Sequence, residues 1–400
     1  MLLGSWLLAA CASHHHSSSD QTPDGGDGPT QEGPDGSAVV TTGPDGSTTT
    51  PPSGSDGGGT QPGTDGSVPP SGGDSGSTVG SSNLQILVEP NGNRGAELVS
   101  AINAATKSVH VTIYLLDDKN MISALEARSK AGLDVRVILN NFVNQTSSGS
   151  NTTVYNQLMA AGVKVILSDA TRFTFTHEKC VIIDGATAWI MTMNLETSSS
   201  AYNREYVAID PEPADVAEAE AIFEADYADQ AITATGPLVV APQAPNNART
   251  ALTTLIASAT KTLDIEAEEF SDFGTQGSGV TQAVVAAAQR GVKVRLVLAQ
   301  GNSSTTQTEA VGDVKAAGGS VVVSGGASGS STATNPYIHA KAMVVDCTSS
   351  GCPRGYIGSE NFTGGSLGYN RELGLIVTNA AQLAPVEAAI AADFAAGTPQ

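Results

Sequence analysis

The sequence contains one long segment twice, and this repeat limits the fold more than any bulk property does. The copies begin near Leu84 and near Leu238. Ile102 to Thr112 (INAATKSVHVT) matches Ile256 to Glu266 (IASATKTLDIE), each a helix end running into a β-rich strand. Ala131 to Leu139 (AGLDVRVIL) then matches Arg290 to Leu298 (RGVKVRLVL), a helix ending at Gly132 or Gly291 and entering a buried strand. Ala160 to Ser168 and Ala316 to Ser324 follow, and each copy closes on an Ala-rich helix, around Ala221–Tyr227 and Ala389–Phe394. Strands alternating with helices of about 10–15 residues predict α/β sheets covered on both faces, built from two copies of one unit.

The 400 residues allow two such units and a tail. From Ala12 to about Ser82 the chain is Gly, Ser, Asp, Pro and Thr with recurring Pro-Asp-Gly, and lacks the apolar periodicity that could bury anything. Residues 12–82 are therefore expected to be a disordered linker. As a flexible coil of roughly 70 residues it would span on the order of 45 Å. The His14-His15-His16 run falls within it and reads as solvated tail. The expected division is 83–230 for an N-terminal lobe and 231–400 for a C-terminal lobe.

The formal charge of −21 is unevenly spread. Residues 1–83 carry nine acids and no Lys or Arg, leaving 31 acids against 19 bases. Affinity for nucleic acid rests largely on Lys and Arg displacing counterions, so an acidic body argues against non-specific binding to it. A small basic cleft stays compatible with the sequence.

The string Leu8-Ala9-Ala10-Cys11 ends a short apolar stretch and resembles a bacterial lipobox. That resemblance implies a signal peptide over 1–11, export, lipid attachment at Cys11, and a membrane-anchored lipoprotein on the periplasmic or cell-surface side; the Lys or Arg of a usual signal n-region is missing. No other run reaches about 18 apolar residues, so no spanning helix is expected. Cys347 and Cys352 flank Thr348-Ser349-Ser350-Gly351, a turn that would let them form a hairpin disulfide in an oxidising compartment and leave them free thiols in a reducing one. Cys180 reads as a small buried hydrophobe.

Of the three histidines beyond the tail, two head one pattern at corresponding places: His177-Glu178-Lys179 with Asp184, and His339-Ala340-Lys341 with Asp346. Cys180-Val181-Ile182-Ile183 and Ala342-Met343-Val344-Val345 fill the gaps, so both patterns are expected on buried strands. In a strand, His and Lys two apart share a face and the Asp falls on the other, which makes Asp184 and Asp346 structural partners. Met191-Thr192-Met193-Asn194 and Gly358-Ser359-Glu360-Asn361 follow, then Asn203-Arg204-Glu205 and Asn370-Arg371-Glu372.

Over roughly residues 83–400 the chain thus resembles the phospholipase D superfamily, marked by paired H-x-K-x4-D motifs, each followed by a G-S-x-N-like segment and a later Glu. The resemblance implies two α/β/α sandwich lobes related by a pseudo-twofold axis, with both motifs in one site. Two departures stand out. Met191-Thr192 replaces Gly-Ser in the first copy, and Cys347 to Gly355 is an insertion confined to the second.

Phosphodiesters are anionic and resist attack, so cleaving one requires positive charge, fixed donors, a nucleophile and an acid for the departing oxygen. Lys179 and Lys341 would neutralise the phosphoryl oxygens, and Asn194 and Asn361 would donate hydrogen bonds to them. One imidazole would attack phosphorus and the other protonate the alcohol, a scheme that calls for no metal and no cofactor. The resemblance favours His177 as nucleophile and His339 as acid and base, with Glu205 and Glu372 fixing the imidazole tautomers. Thr192 and Ser359 would add hydroxyl donors. The competing reading makes the glutamates surface ion-pair partners of Arg204 and Arg371.

His110 reads as a satisfied sheet histidine, and Trp189 and Phe223 as core. Asp117, Asp118, Glu266, Glu268 and Glu269 lie at corresponding strand ends and read as charged loop edges, with capture of a cationic headgroup as the alternative. The function expected is hydrolysis or transfer at the phosphodiester of a phospholipid by a monomer held at a membrane. A nuclease of the same superfamily and a catalytically silent surface-binding module are the alternatives.

Overall fold

A computed structural model describes residues 83–141, 151–242, 248–275 and 277–400. The expected lipidation site Cys11, the leader 1–11, the linker 12–82 and the His14-His15-His16 run lie outside the described residues.

The described residues form two mixed sheets. The first runs Gln85–Glu89, Asn203–Asp210, Thr187–Met191, Lys179–Ile183, Ser108–Ile113, Asp134–Leu139, Lys164–Leu167. The second runs Val239–Ala241, Glu372–Val377, Arg354–Gly358, Lys341–Val345, Thr262–Ala267, Lys293–Ala299, Ser320–Ser324, Thr398–Pro399. Their common strands keep the same order and sense. Ser108–Ile113, Asp134–Leu139 and Lys164–Leu167 are parallel, as are Thr262–Ala267, Lys293–Ala299 and Ser320–Ser324. The strands that follow each His are antiparallel to these in matching register, Ile113 opposite Lys179 and Ala267 opposite Lys341. The pseudo-twofold α/β duplication expected from the repeat is therefore the architecture.

Local chemistry explains the crossovers. Asp118 caps Lys119–Lys130, its carboxylate accepting from the N–H groups of Asn120 and Met121, while Arg128 and Lys130 face the negative end of the helix dipole. Gly132 and Gly291, both at φ +89°, end the helices before strands Asp134–Leu139 and Lys293–Ala299, in a left-handed conformation that a side chain would strain.

Alternation along the strands divides the apolar residues into three layers. Val181 and Trp189 face outward to helices Ala96–Ala104 and Lys119–Lys130, packing with Leu98, Ile102 and Leu125. Met343 and Tyr356 make the equivalent outer core with Leu252, Val284 and Val314. Cys180, Ile182 and Ile190 point the other way and join Ala342, Val344 and Ile357 of the second sheet in one shared core. Helices Pro213–Tyr227 and Ala380–Ala396 complete this middle layer through Ile222, Phe223, Leu383 and Ile390. The two halves thus bury their inner faces against each other.

They also exchange backbone. Tyr337–Ile338, just before His339, pairs in parallel with Asn203–Arg204 of the first sheet. Thr176, just before His177, bridges in parallel to Arg371 of the second half. Each histidine is consequently delivered beside the strand carrying the other half's glutamate.

Candidate functional site

The imidazole of His177 is fully buried, and its Nδ1 lies 3.0 and 2.9 Å from the two carboxylate oxygens of Glu372. The Nδ1 of His339 lies 2.8 Å from Oε1 of Glu205. Both pairs cross between the halves. A carboxylate on one ring nitrogen leaves Nε2 as the reactive atom and stabilises the ring when it is charged. Burial alone would push the Glu372 carboxyl up, but His177, Lys179 and Ser359 outweigh it and hold the pKa below the usual range, so this group is a carboxylate.

The hydroxyls fix the glutamates in turn. Thr192 Oγ1 donates to Glu205, which also accepts from Asn203 Nδ2 at 3.3 Å. Ser359 Oγ donates to Glu372 at 2.6 Å, joined by Ser366 Oγ at 2.6 Å and Asn370 Nδ2 at 3.2 Å. Thr192 therefore does in its half what Ser359 does in the other, and the Met191-Thr192 departure costs no hydroxyl. Arg204 and Arg371 do not pair with these glutamates. Arg204 binds Asp393 at 2.6 Å and Arg371 binds Asp226 at 2.7 Å, each again across the halves.

Lys179 and Lys341 are the first residues of their strands, and each amine donates to the carbonyl of its own motif histidine, at 2.8 and 2.9 Å. Both are buried, as are Asn194 and Asn361. Asp184 and Asp346 lie one residue beyond the strands, at φ +57° and +52°, away from the cluster. Asp184 accepts from the N–H groups of Thr106, Lys107 and Ser108 and from Thr106 Oγ1; Asp346 does the same with Thr260, Lys261 and Thr262. They tie the helix-to-strand turn of each copy to the motif strand.

The strand-end carboxylates correct the sequence reading. Glu266 and Glu268 are fully buried and Glu269 is 8% exposed, so they are not charged loop edges. Glu266 accepts from the Tyr206 hydroxyl, and burial pushes its pKa far up. Glu268 lies within the site: its Oε2 is 2.8 Å from Lys341 Nζ, 3.4 Å from Asn361 Nδ2 and 3.6 Å from His339 Nε2. Asp117 and Asp118, by contrast, cap local turns, accepting from Thr197 N and from the first turn of Lys119–Lys130.

Three further groups escaped sequence reasoning. Tyr114 stands edge-on to His177 at 4.7 Å, with Lys179 Nζ 5.1 Å above its ring. Its signal was present, because extending the repeat by two residues sets Tyr114 opposite Glu268. Glu196 is pushed up to about 7 by burial, with Asp117 adding to the rise and His339 opposing it. Glu178 is pushed up to about 8 by burial and by Asp226. Nothing in residue type or spacing distinguishes Glu196 from a surface glutamate, whereas Glu178 lies inside the first motif and was assigned no role there.

Cys347 and Cys352 are joined by a disulfide across their turn, and Cys180 is buried in the shared core. Among the described residues, His110, Glu220 and Glu224 are spaced as metal ligands could be. Arg136 already supplies the positive charge there, within 2.9 Å of His110 Nε2 and 2.6 Å of Glu224, while Phe223 stacks on the His110 ring at 4.7 Å. His110 is a satisfied sheet residue, and Trp189 and Phe223 are core.

The family described as "Cardiolipin synthase, PLD-like domain" matches residues 98–227 and 252–394, well over half the chain. Cardiolipin synthase A of Pseudomonas aeruginosa is 30% identical over 133 residues, 33% of this chain and 26% of that protein. The cardiolipin synthase of Listeria welshimeri is 30% identical over 109 residues, 27% of this chain and 22% of that protein. The chain thus spans about a quarter of the length of these curated relatives. The phosphatidylserine synthase of Haemophilus influenzae shares the fold at a TM-score of 0.59 and 12% identity, over 79% of this chain and 87% of that one.

Proposed function

The chain belongs to the cardiolipin synthase, PLD-like domain family, and on that premise we propose that it is a phosphodiesterase cleaving or transferring the phosphodiester of phospholipids through a covalent phosphohistidine. The observation that supports this reading is the crossed pairing of His177 with Glu372 and of His339 with Glu205, which sets each imidazole beside a carboxylate of the other half.

In the proposed reaction, Nε2 of His177 attacks phosphorus while the P–O bond to the leaving alcohol breaks. His339, protonated at Nε2 and supported by Glu205, gives its proton to the departing oxygen. The neutral His339 then takes a proton from water or from a second alcohol, whose oxygen attacks phosphorus and releases His177. The acid and base roles alternate on one residue, so each turnover returns both imidazoles to their starting protonation. Lys179 and Asn194 supply charge and a donor to the phosphoryl oxygens without being consumed. The residues bearing these roles are all in the chain, and the proposal assigns no step to a metal. Location follows the sequence: we infer an exported bacterial lipoprotein anchored to a membrane at Cys11, on the periplasmic or cell-surface side, which mass determination of the N-terminal peptide would test.

The functional test is turnover of a phospholipid panel and of single- and double-stranded DNA by the full chain with EDTA present, beside His177→Ala and His339→Ala. Lipid turnover lost in both variants supports the proposal, and trapping of the phosphatidyl group on His177 in the His339→Ala protein would support the assignment of roles. DNA cleavage lost in both moves the function to a nuclease. Absence of any turnover leaves a binding module.

A further inference from the structure

The two half-sites share their His, Lys and Asn but differ in charge at the residue that follows the first parallel strand of each copy. In the first half the strand Ser108–Ile113 is followed by Tyr114; in the second, Thr262–Ala267 is followed by Glu268. Since Ile113 lies opposite Lys179 and Ala267 opposite Lys341, the next residue in each copy reaches its motif from the same direction. Tyr114 presents an uncharged ring to His177 and Lys179. Glu268 presents a carboxylate to His339, Lys341 and Asn361.

That carboxylate is firmly held. Its Oε1 accepts from Tyr337 OH at 2.8 Å, its backbone N–H donates to Ala340 O at 2.9 Å, and its backbone carbonyl accepts from Asn302 Nδ2 at 3.0 Å. Its Oε2 lies among the ammonium, the amide and the imidazole that the second motif would offer to a phosphoryl oxygen. A second anionic oxygen cannot be brought there without strong repulsion, because like unit charges a few ångströms apart repel strongly wherever water is excluded. The first half has no such competitor at the matching position.

We propose that Glu268 is a specificity-determining residue: it neutralises the anion-binding capacity of the Lys341 half-site, so that the pocket takes a phosphodiester bearing a single negative charge, seated toward Lys179, and rejects polyanions and dianionic phosphate. This inference rests on the phosphodiesterase reading of the same site. The alcohol portion of the substrate then lies on the Glu268 side, within reach of His339, where a hydroxyl can donate to the carboxylate and a second phosphate cannot be accommodated. The selectivity is one of charge count, and it arises from a residue outside the duplicated motifs.

The test is direct binding by calorimetry to the full chain, using dimethyl phosphate and orthophosphate at pH 8 and constant ionic strength. The unmodified protein is expected to bind dimethyl phosphate at least about tenfold more tightly than orthophosphate, and E268Q and E268Y to bind orthophosphate at least about tenfold more tightly than the parent. A single-stranded oligonucleotide should gain affinity in the same variants. Equal or reversed preference in the unmodified protein overturns the proposal, even where both variants fail to fold. Unchanged or weaker orthophosphate binding by folded variants overturns it as well. Because none of these readouts needs turnover, a protein that cleaves no phosphodiester yet shows the predicted preferences would sink the phosphodiesterase reading alone; cleavage with an unaltered phosphate affinity would sink only the role of Glu268.

Discussion

His177 is oriented by Glu372, 195 residues later in the chain and in the other half of the repeat, at 2.9 Å from Nδ1. Glu205 of the first half lies 2.8 Å from Nδ1 of His339 in the second. Neither half therefore holds a complete histidine and its orienting carboxylate. The exchange follows from backbone pairing, since Thr176 bridges Arg371 and Ile338 pairs with Arg204, in each case one residue ahead of the histidine and of the glutamate that binds it. A duplicated chain can keep such a site only if both copies retain their pairing partners.

Replacing either glutamate by Gln should lower kcat by about 10- to 100-fold with a smaller change in KM, because an amide cannot stabilise the charged imidazole and can stabilise the wrong tautomer. Steady-state rates on bis(p-nitrophenyl) phosphate would measure this. Losses are expected in both Glu205→Gln and Glu372→Gln, because each carboxylate lies within hydrogen-bond distance of its histidine's Nδ1. Activity indistinguishable from the parent in either variant would show that its histidine needs no orienting carboxylate.

Asp184 gives a pH signature of folding rather than of catalysis. Burial raises its pKa, but the backbone N–H groups of Lys107, Ser108 and Thr106 outweigh that and lower it from 3.8 to about 2. A carboxyl depressed in the folded state contributes stability that is present above its unfolded pKa and is lost as pH falls through the folded one. Asp184→Asn should therefore cost about 1–2 kcal/mol at pH 7 after allowance for solvent screening, with the gap closing between about pH 4 and pH 2. Urea unfolding at several pH values would show it; a gap that persists unchanged at pH 2 would mean that the loss is steric and not electrostatic.

Most of the architecture could be read from the repeat, because buried strands and helix-ending glycines leave periodic marks on a sequence. The strand Lys341–Val345 and the turn after Gly291 are examples. The orienting role of Glu205 and Glu372 could be expected only from resemblance, and nothing in one dimension revealed that the pairs cross. Glu268 was misread for a physical reason: three acids in four residues look like a solvated edge, and only the pairing of Ala267 with Lys341 shows where the second of them goes. Pairing of Arg204 and Arg371 with the adjacent glutamates was the competing reading. In an extended strand, however, consecutive side chains point to opposite faces, so each arginine is directed to the far helix instead.

The Cys347–Cys352 bond closes a small hairpin loop outside the site, between strands Lys341–Val345 and Arg354–Gly358. Loop-closure entropy for so short a loop is about 2 kcal/mol, so Cys347→Ser with Cys352→Ser should lower stability by that order. The same double variant should keep kcat within about twofold, since the turn touches none of the proposed machinery. Thermal unfolding of the oxidised, reduced and double-serine proteins would separate the two effects; loss of activity without loss of stability would place the hairpin in substrate binding.

The arginine crossings make a sharper demand. Arg371 is buried, binds Asp226 through Nε at 2.7 Å and Nη2 at 3.1 Å, reaches the carbonyl of Ala241 at 3.3 Å, and stacks 4.4 Å from the Phe173 ring. Burial holds the Asp226 carboxyl above its usual range even with this guanidinium beside it, and Asp226 in turn raises Glu178. Removing this guanidinium leaves Asp226 facing Arg172 at the longer distance of 3.5 Å, with Glu178 buried nearby. Arg371→Met should accordingly cost about 3–5 kcal/mol. The double variant Arg371→Met, Asp226→Leu should recover a large part of that, because it deletes both charges together. Arg371→Lys should recover little, since a point charge cannot make the two parallel contacts. Denaturant midpoints of the three proteins decide the matter: a Met variant within about 1 kcal/mol of the parent would mean that the shared apolar core alone fixes how the halves sit, and that the crossed ion pairs contribute no hold of their own.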